Sequence, residues 1–300
     1  YNLPLFQKRS CQASKFGIIL ALVHLGFLLL KIQFAVIRVD FYVIVIMNKS
    51  EFIEGLSNEL EKTKAELLSK VPDCAEINLF AGDALNTDDV IAAVAFAVER
   101  SGPLNTCVPT VGGGAIRPLL THSAETFMQD IELNVLSCFL AVRYCVPEMV
   151  KSGGGSIVVI SSDAAKLAFP WLPAYCTAKA ALEGLTRQLA EELSRYKIRV
   201  NAVRPGLTRT ECTKAIFADE SVIEKFAAEK PLGRLGEPED IAAGVRYLAG
   251  PESSWITGQS LAIEGGNELR SAADQGALDQ QIFGEEVWQK VLAGEDPGPG

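Results

Sequence analysis

From residue 51 onward, hydrophobic positions recur with two alternating periods. Thr87 to Ser101 carries apolar residues at helical spacing, with Asp88 and Asp89 in its first turn where a helix N-terminus favours acids. Asn105 to Val111 reads as a strand. Ser123 then opens a long helix whose Phe127, Ile131 and Val135 share a face, and Gly153-Gly154-Gly155 ends it. The pattern continues with a strand over 156–161, a helix over 174–195, a strand over 198–203, helices over 219–229 and 238–249, and a strand over 259–263. Upstream, Ser50 to Leu68 is charged and helix-forming, and Glu76 to Phe80 is a short strand candidate. Strands alternating with helices predict an α/β fold: a doubly wound parallel sheet covered on both faces, in three layers, as a single domain over 1–268. Ligands of such folds bind beyond the carboxyl ends of the strands.

The first fifty residues fit that pattern less well. Phe16 to Leu30 has no formal charge and is flanked by Lys15 and Lys31. A membrane helix needs about 20 apolar residues, which is reached only by running through Lys31 and Gln33 to Ile37. Three readings stay open: a helix and strand buried in the parallel sheet, a membrane anchor over 16–37, or a segment foreign to the native protein. At the other end, Leu269 to Gly300 extends past the domain, with Phe283, Val287 and Trp288 at near-helical spacing and an Asp-Pro-Gly-Pro-Gly end expected to be disordered.

Composition narrows the function classes. The 300 residues are 48% hydrophobic and 22% charged, as in ordinary globular proteins. A net charge of −9 disfavours a nucleic-acid surface. Seven scattered cysteines without a C-x-x-C pair disfavour disulfide frameworks and zinc sites, and predict a reducing, cytoplasmic setting. With two histidines, a histidine-rich metal site is not expected, and no metal is called.

The chemistry concentrates in three residues. Tyr175 and Lys179 fall in Ala174-Tyr175-Cys176-Thr177-Ala178-Lys179, a run that starts a helix and puts the pair on one face. Ser162 comes thirteen positions before Tyr175, at the end of the strand Ser156 to Ser161. A free tyrosine has a pKa of about 10, and a nearby ammonium favours the phenolate and brings that value toward neutrality. A hydroxyl, a phenol and an ammonium meeting in one volume suit proton transfer to or from a carbonyl or alcohol. Tyr-x-x-x-Lys alone is equally a helix-surface pair, so the surroundings must carry the reading.

Those surroundings resemble the short-chain dehydrogenase/reductase family. Asn134 matches the family's helix asparagine, and Pro205-Gly206 its turn beside the nicotinamide. Pro231 to Ala242, Ile256-Thr257-Gly258-Gln259 and Glu264-Gly265-Gly266 match its C-terminal signatures. The resemblance runs in order from about Glu76 to Gly266. It implies a Rossmann-like fold and an NAD(P)-dependent oxidoreductase interconverting a secondary alcohol and a ketone, with a 3-oxoacyl- or hydroxysteroid-type substrate. In that reading Tyr175 is the general acid/base and Lys179 lowers its pKa and binds the nicotinamide ribose. Ser162 holds the substrate oxygen, and Asn134 supports a water relay to Lys179.

The resemblance also implies cofactor contacts. The nearest counterpart of the glycine-rich loop is Cys11 to Ile19, giving Ser14, Lys15 and Gly17, with one glycine where three are expected. Asp83-Ala84 match the adenine-contacting pair, and Gly112 closes Pro109-Thr110-Val111-Gly112 where the family has Asn-Asn-Ala-Gly. Pro205, Gly206, Thr208 and Thr210 would line the nicotinamide. A second strand over Phe41 to Met47 ends in Asn48-Lys49 without an acid, which favours NADP; a strand over Phe34 to Val39 would end at Asp40 and favour NAD. NADP is the preferred expectation. The segment Thr208 to Pro231 matches the family's lid; its Ile216, Phe217, Val222, Ile223 and Phe226 either line an apolar pocket or simply pack, and Phe169-Pro170-Trp171-Leu172, between Ser162 and Tyr175, is expected to face the same pocket, which suggests a bulky apolar small-molecule substrate. A homo-oligomer, dimer or tetramer, is expected through the helices near Asn134 and Tyr175, where Phe139, Leu140, Val142 and Tyr144 either form a contact face or pack inside the monomer. The alternative is a dehydrogenase-like binding or assembly protein that has lost catalysis with its glycine loop.

Overall fold

The computed structural model describes residues 16–21, 41–46, 78, 80, 82–114, 116–210, 213, 216–218, 220–269 and 284–295. The chain divides into two compact units, Tyr1–Glu268 and Leu269–Gly300. Among the described residues of the first unit six strands form one sheet: β1 (Phe16–Ala21), β2 (Phe41–Ile46), β3 (Thr106–Pro109), β4 (Gly155–Ile160), β5 (Ile198–Pro205) and β6 (Ser260–Ile263). They lie in the order β2-β1-β3-β4-β5-β6, and every pairing is parallel. The chain steps from β1 outward to β2, then crosses back to β3 and continues the other way. The order therefore reverses between β1 and β3, and the carboxyl-end crevice opens there.

The described helices of this unit are α1 (Thr87–Ser101), α2 (Ala124–Ile131), α3 (Ser137–Lys151), α4 (Pro173–Leu193), α5 (Glu220–Ala228) and α6 (Pro238–Ala249). Alternation along the strands sorts the core into two layers. Cys107, Ile157, Val159, Val200 and Ala202 pack with Ala97 of α1, Cys145 and Met149 of α3, and Leu182 and Leu193 of α4. Val108, Val158, Ile160 and Val203 face the other way, against Ile241, Val245 and Leu248 of α6. Both sheet faces are covered, so β4 reads as the continuous apolar run Ile157 to Ile160. Each such side chain buried contributes about 1.5–3 kcal/mol. The doubly wound three-layer fold read from the sequence is the fold observed.

Local signals explain the helix boundaries. The Asn86 side chain accepts from Asp88 N–H at 2.9 Å and Asp89 N–H at 3.1 Å, which caps α1. Ser123 and Thr126 form a reciprocal capping box at α2. Pro173 and Pro238 occupy first-turn positions, where a missing N–H costs nothing. Gly154, at φ +129°, has no room for a side chain, since a Cβ would lie 2.5 Å from the Lys197 carbonyl oxygen.

Several expectations change. The long helix from Ser123 is interrupted by a π-helical turn, Glu132–Leu136, in which Ser137 N–H reaches back to the Glu132 carbonyl. A 3.6-residue period does not reveal such a turn. Asn78 and Phe80 are not in a strand; the rest of that expected strand and the helix Ser50 to Leu68 lie outside the described residues. The first described strand is Phe16–Ala21, so Gly17 sits inside it, paired with Tyr42. The assignment of Gly17 to a loop after the strand is therefore corrected, and residues 16–21 belong to the sheet rather than to a membrane helix; residues 22–37 lie outside the described residues. Leu140 and Val142 are buried within the chain, which removes them from the proposed contact face and leaves Phe139 exposed and Tyr144 half-buried. Residues Ala124–Lys151 are long and apolar enough to span a membrane by composition, but Cys145 and Met149 pack on the sheet.

In the second unit the described helix is α7 (Glu285–Leu292), which starts after Gly284 with Glu285 and Glu286 in its first turn. Lys290 pairs with Glu286 at 3.1 Å, one helical turn apart. Phe283 and Asp296 to Gly300 lie outside the described residues.

Candidate functional site

The loop that leaves β3 is built on three glycines, Gly112-Gly113-Gly114, and Asn134 holds it. Asn134 is fully buried in the π-helical turn. Its Oδ1 accepts from Gly113 N–H at 3.1 Å, and its Nδ2 donates to the Gly113 carbonyl at 2.7 Å and to the Asp130 carbonyl at 2.7 Å. Both ends of the amide are thus used, and the loop is fixed against the helix. A Cβ on Gly112 would lie 2.5 Å from Asn134 Oδ1 and 3.1 Å from Lys179 Nζ, so only glycine allows this approach. A Cβ on Gly114 would lie 2.7 Å from Tyr175 Cβ.

Tyr175 lies in the first turn of α4 and Lys179 one turn later, and the Lys179 Nζ is 5.6 Å from the centre of the Tyr175 ring. Lys179 is buried, and its Nζ donates to the Ile160 carbonyl, the last residue of β4, at 3.0 Å. Burial pushes the Lys179 pKa down to about 8, against a smaller upward pull from the Cys138 thiol. Two residues past Ile160, Ser162 is buried, its Oγ accepting from Ala164 N–H at 3.1 Å and donating to Asp163 Oδ1 at 3.1 Å. Ser161 Oγ donates to the Lys179 carbonyl at 3.4 Å, which ties the end of β4 to α4. Asn134, Tyr175 and Lys179 therefore surround the Gly112–Gly114 loop, with Ser162 beside them at the end of β4.

At the end of β5, Gly206 packs so closely on β6 that a Cβ would lie 2.8 Å from Glu264 Cα. Thr208 is buried, and its hydroxyl donates to the Gly206 carbonyl at 2.8 Å. Thr210 N–H donates to Thr213 Oγ1 at 2.9 Å, and that oxygen's own proton reaches the Thr208 carbonyl at 2.7 Å. This folds the turn after Pro205-Gly206 back on itself. A cavity of about 310 Å³ opens beside it, lined by Gly206, Lys230, Arg234, Glu264 and Gly266 among others. Trp171, between Ser162 and Tyr175, is 61% exposed at φ +67°, a backbone conformation uncommon for a bulky residue, and its carbonyl accepts from Arg117 N–H at 2.7 Å. Beyond this turn, the Arg209 guanidinium lies 4.2 Å from the Phe217 ring centre.

Asp83 Oδ1 accepts from Leu85 N–H at 2.8 Å and so closes the turn that carries Ala84 into α1. Gly17, at the amino end of the sheet, is on the opposite edge from Ser162 and Lys179. Ser14, Lys15 and Asn48 lie outside the described residues. Sequence reading did not single out Gly113, Gly114, Asp163, Lys230 or Asn267; the run of three glycines was the available signal for the first two.

Strands ending together at a topological switch point, with a buried lysine beside a tyrosine at their carboxyl ends, match known proteins. A family model described as enoyl-(acyl carrier protein) reductase matches residues 52–268. The chain belongs to the short-chain dehydrogenase/reductase family. Members of this oxidoreductase family act on CH–OH groups and generally bind NAD(P). The chain is 35% identical to the 7alpha-hydroxysteroid dehydrogenase of Escherichia coli (strain K12) over 219 residues, 71% of this chain and 84% of that protein. It is 35% identical over 197 residues to dehydrogenase/reductase SDR family member 4 of Bos taurus, covering 62% of this chain and 71% of that one. A short-chain type dehydrogenase/reductase from Mycobacterium ulcerans superposes with a TM-score of 0.76 at 28% identity, covering 92% of this chain and 98% of that one. The described residues fit the nicotinamide end of such a dinucleotide: the side-chain-free Gly112–Gly114 loop, the Lys179 ammonium and the Pro205-Gly206 turn all lie at strand carboxyl ends.

Proposed function

We propose that this short-chain dehydrogenase/reductase interconverts a secondary alcohol and its ketone. Bound NAD(P) supplies the hydride acceptor or donor. Tyr175 moves the proton at the reacting oxygen. Lys179 favours the phenolate electrostatically and would hold the nicotinamide ribose, while Ser162 meets the reacting oxygen. Asn134 fixes the loop that flanks all of them and supports a water relay to Lys179. The observation that carries this reading is the buried Lys179 ammonium, anchored on Ile160 and 5.6 Å from the Tyr175 ring.

NADP is favoured within this reading. β2 ends at Ile46, and the residues that follow are Met47-Asn48-Lys49, without the acid that would select the 2′-hydroxyl of NAD. In the sequence Asp40 comes before Phe41, the first residue of β2, and not after the strand's last residue. A bulky apolar alcohol of hydroxysteroid type is the favoured substrate, supported by the named activity of the Escherichia coli relative and by exposed Trp171 beside the site. A homo-oligomer in a reducing, cytoplasmic setting completes the proposal, in keeping with free Cys107, Cys138, Cys145 and Cys176.

The test is a panel of hydroxysteroids and ketosteroids with each cofactor, followed by nicotinamide absorbance. Tyr175→Phe should lower kcat about 10²- to 10⁴-fold while cofactor titration by fluorescence stays near wild type. Turnover equal to wild type in that variant would remove Tyr175 from the chemistry. Wild-type protein that binds neither NADPH nor NADH would instead favour the non-catalytic assembly reading.

A further inference from the structure

Four large apolar side chains stand in water where the site opens. Gly114 lies against Tyr175, and the chain then runs on to Ile116, Leu119 and Leu120, which are 74%, 68% and 96% exposed. Arg117 N–H donates to the Trp171 carbonyl at 2.7 Å, which fixes this segment against the turn leading into α4. Trp171 is itself exposed and precedes Tyr175 by four positions. Large apolar side chains scattered singly over a surface need no explanation, but gathered beside a cleft they mark where an apolar body docks.

One cation belongs to this surface. Arg117 is half-buried, and among the described residues its side chain has no hydrogen bond and no salt bridge. Asp130 is the acid that feels its charge. Burial raises the Asp130 pKa, and the charges of His122 and Arg117 pull it back down, but no salt bridge joins Arg117 to it. The guanidinium therefore keeps its N–H donors, whose planar fork matches the two oxygens of a carboxylate. The net charge of −9 gives an anion no long-range attraction to the chain, so a local cation has to supply its recognition. Arg117 comes three positions after Gly114, a span of at most about 11 Å.

We infer that the substrate is an amphipathic anion: a secondary alcohol or ketone on a bulky apolar body, with a carboxylate on the order of 10 Å from the reacting oxygen. The body rests on Ile116, Leu119, Leu120 and Trp171, and Arg117 takes the carboxylate. The inference rests on the alcohol–ketone reading above and names the substrate class within it.

The probes are a 7α-hydroxysteroid whose side chain ends in a carboxylate, and its methyl ester. In wild type, KM for the acid should be about tenfold below KM for the ester, the scale of one charge-assisted hydrogen bond. Raising the salt concentration should shrink that ratio. Arg117→Gln should bring it to about one, and Arg117→Lys should restore part of it, since the charge is kept and the fork is lost. The ratio is taken within each protein, so a partly unfolded variant does not imitate the effect. A wild-type ratio of one, or an unchanged ratio in Arg117→Gln, overturns the proposal.

Leu120→Ser tests the apolar part. It should raise KM about tenfold for acid and ester alike, the scale of one leucine side chain taken out of water. A sizing column that shows a smaller species with both KM values unchanged would give this surface to a second copy of the chain and overturn the proposal. Calorimetric titration with the same probes gives a readout independent of turnover. If wild type turns over neither steroid, the alcohol–ketone reading fails for this substrate, while tighter binding of the acid that depends on Arg117 still supports the anion site. Equal binding of acid and ester overturns it.

Discussion

Lys179 shows how one residue's surroundings set its chemistry. Removed from water and bonded to the Ile160 carbonyl, its ammonium has its pKa lowered to about 8. The sign is clear: below about 8 it is an ammonium that favours the Tyr175 phenolate, and above it that support is lost. We therefore expect a limb near pH 8 in kcat/KM, falling as pH rises, which reports the free enzyme. Lys179→Arg keeps the charge throughout, so whatever activity it retains should lack that limb. A limb that persists unchanged would point to another group. Gly114 gives a steric prediction at the same scale. A Cβ there meets Tyr175 Cβ at 2.7 Å, so Gly114→Ala should displace the ring or the loop and reduce kcat/KM at least about tenfold. Steady-state kinetics on the purified variant checks this, and wild-type values would show that the loop has slack.

Elements form here because local signals and tertiary packing agree. Asn86 satisfies two N–H groups at the start of α1, and α1 carries Ala93 and Ala97 into the core. Asn86→Ala should cost about 1 kcal/mol by urea unfolding and Asn86→Asp close to nothing, since aspartate caps equally well. Equal losses in both variants would mean that the contribution comes from elsewhere. The boundaries of α1 and α6 were legible because capping residues and apolar period coincide over 87–101 and 238–249. The break between α2 and α3 was not. Phe127, Ile131 and Val135 keep helical spacing across it, whereas the extra backbone residue is stabilised by Asn134 bonding to Gly113, 21 positions away. Gly17 was assigned to a loop for a similar reason. Phe16–Ala21 has the apolar content of a strand, a helix or an anchor, and only its pairing with β2 and β3 distinguishes them.

Across the whole molecule, one ion pair joins the end of the sheet to the last turn before the second unit. Arg204 of β5 is buried and makes a bidentate contact with Glu268, at 2.6 Å and 3.0 Å, while also donating to the Ser260 carbonyl at 2.9 Å. Burial raises the Glu268 pKa, but the Arg204 hydrogen bond and charge outweigh it and hold the group below its ordinary 4.5. A carboxylate with a depressed folded pKa contributes stability that is fully present above the unfolded value and is lost as pH falls through the folded one. Unfolding monitored by circular dichroism should therefore show stability declining as pH drops below about 4.5, with a shallower decline in Glu268→Gln. That variant should also lose about 3 kcal/mol at pH 7, because it leaves the buried Arg204 charge with the longer Glu183 contact in place of a bidentate one. A loss within error of zero would show that Glu183, 3.9 Å away, suffices.

By itself the sequence determined the alternation of strands and helices, the two-sided sheet, and the spacing that puts Tyr175 and Lys179 on one helix face. These follow from periodicity and from residue chemistry that acts over a few positions. Tertiary structure alone decided that Gly17 lies in a strand, where the π-helical turn falls, and that Lys230, Asn267, Asp163 and Ser162 are hydrogen-bonded in that order. Those features join residues up to 104 positions apart, and each depends on a hydrogen bond that has no trace in local spacing.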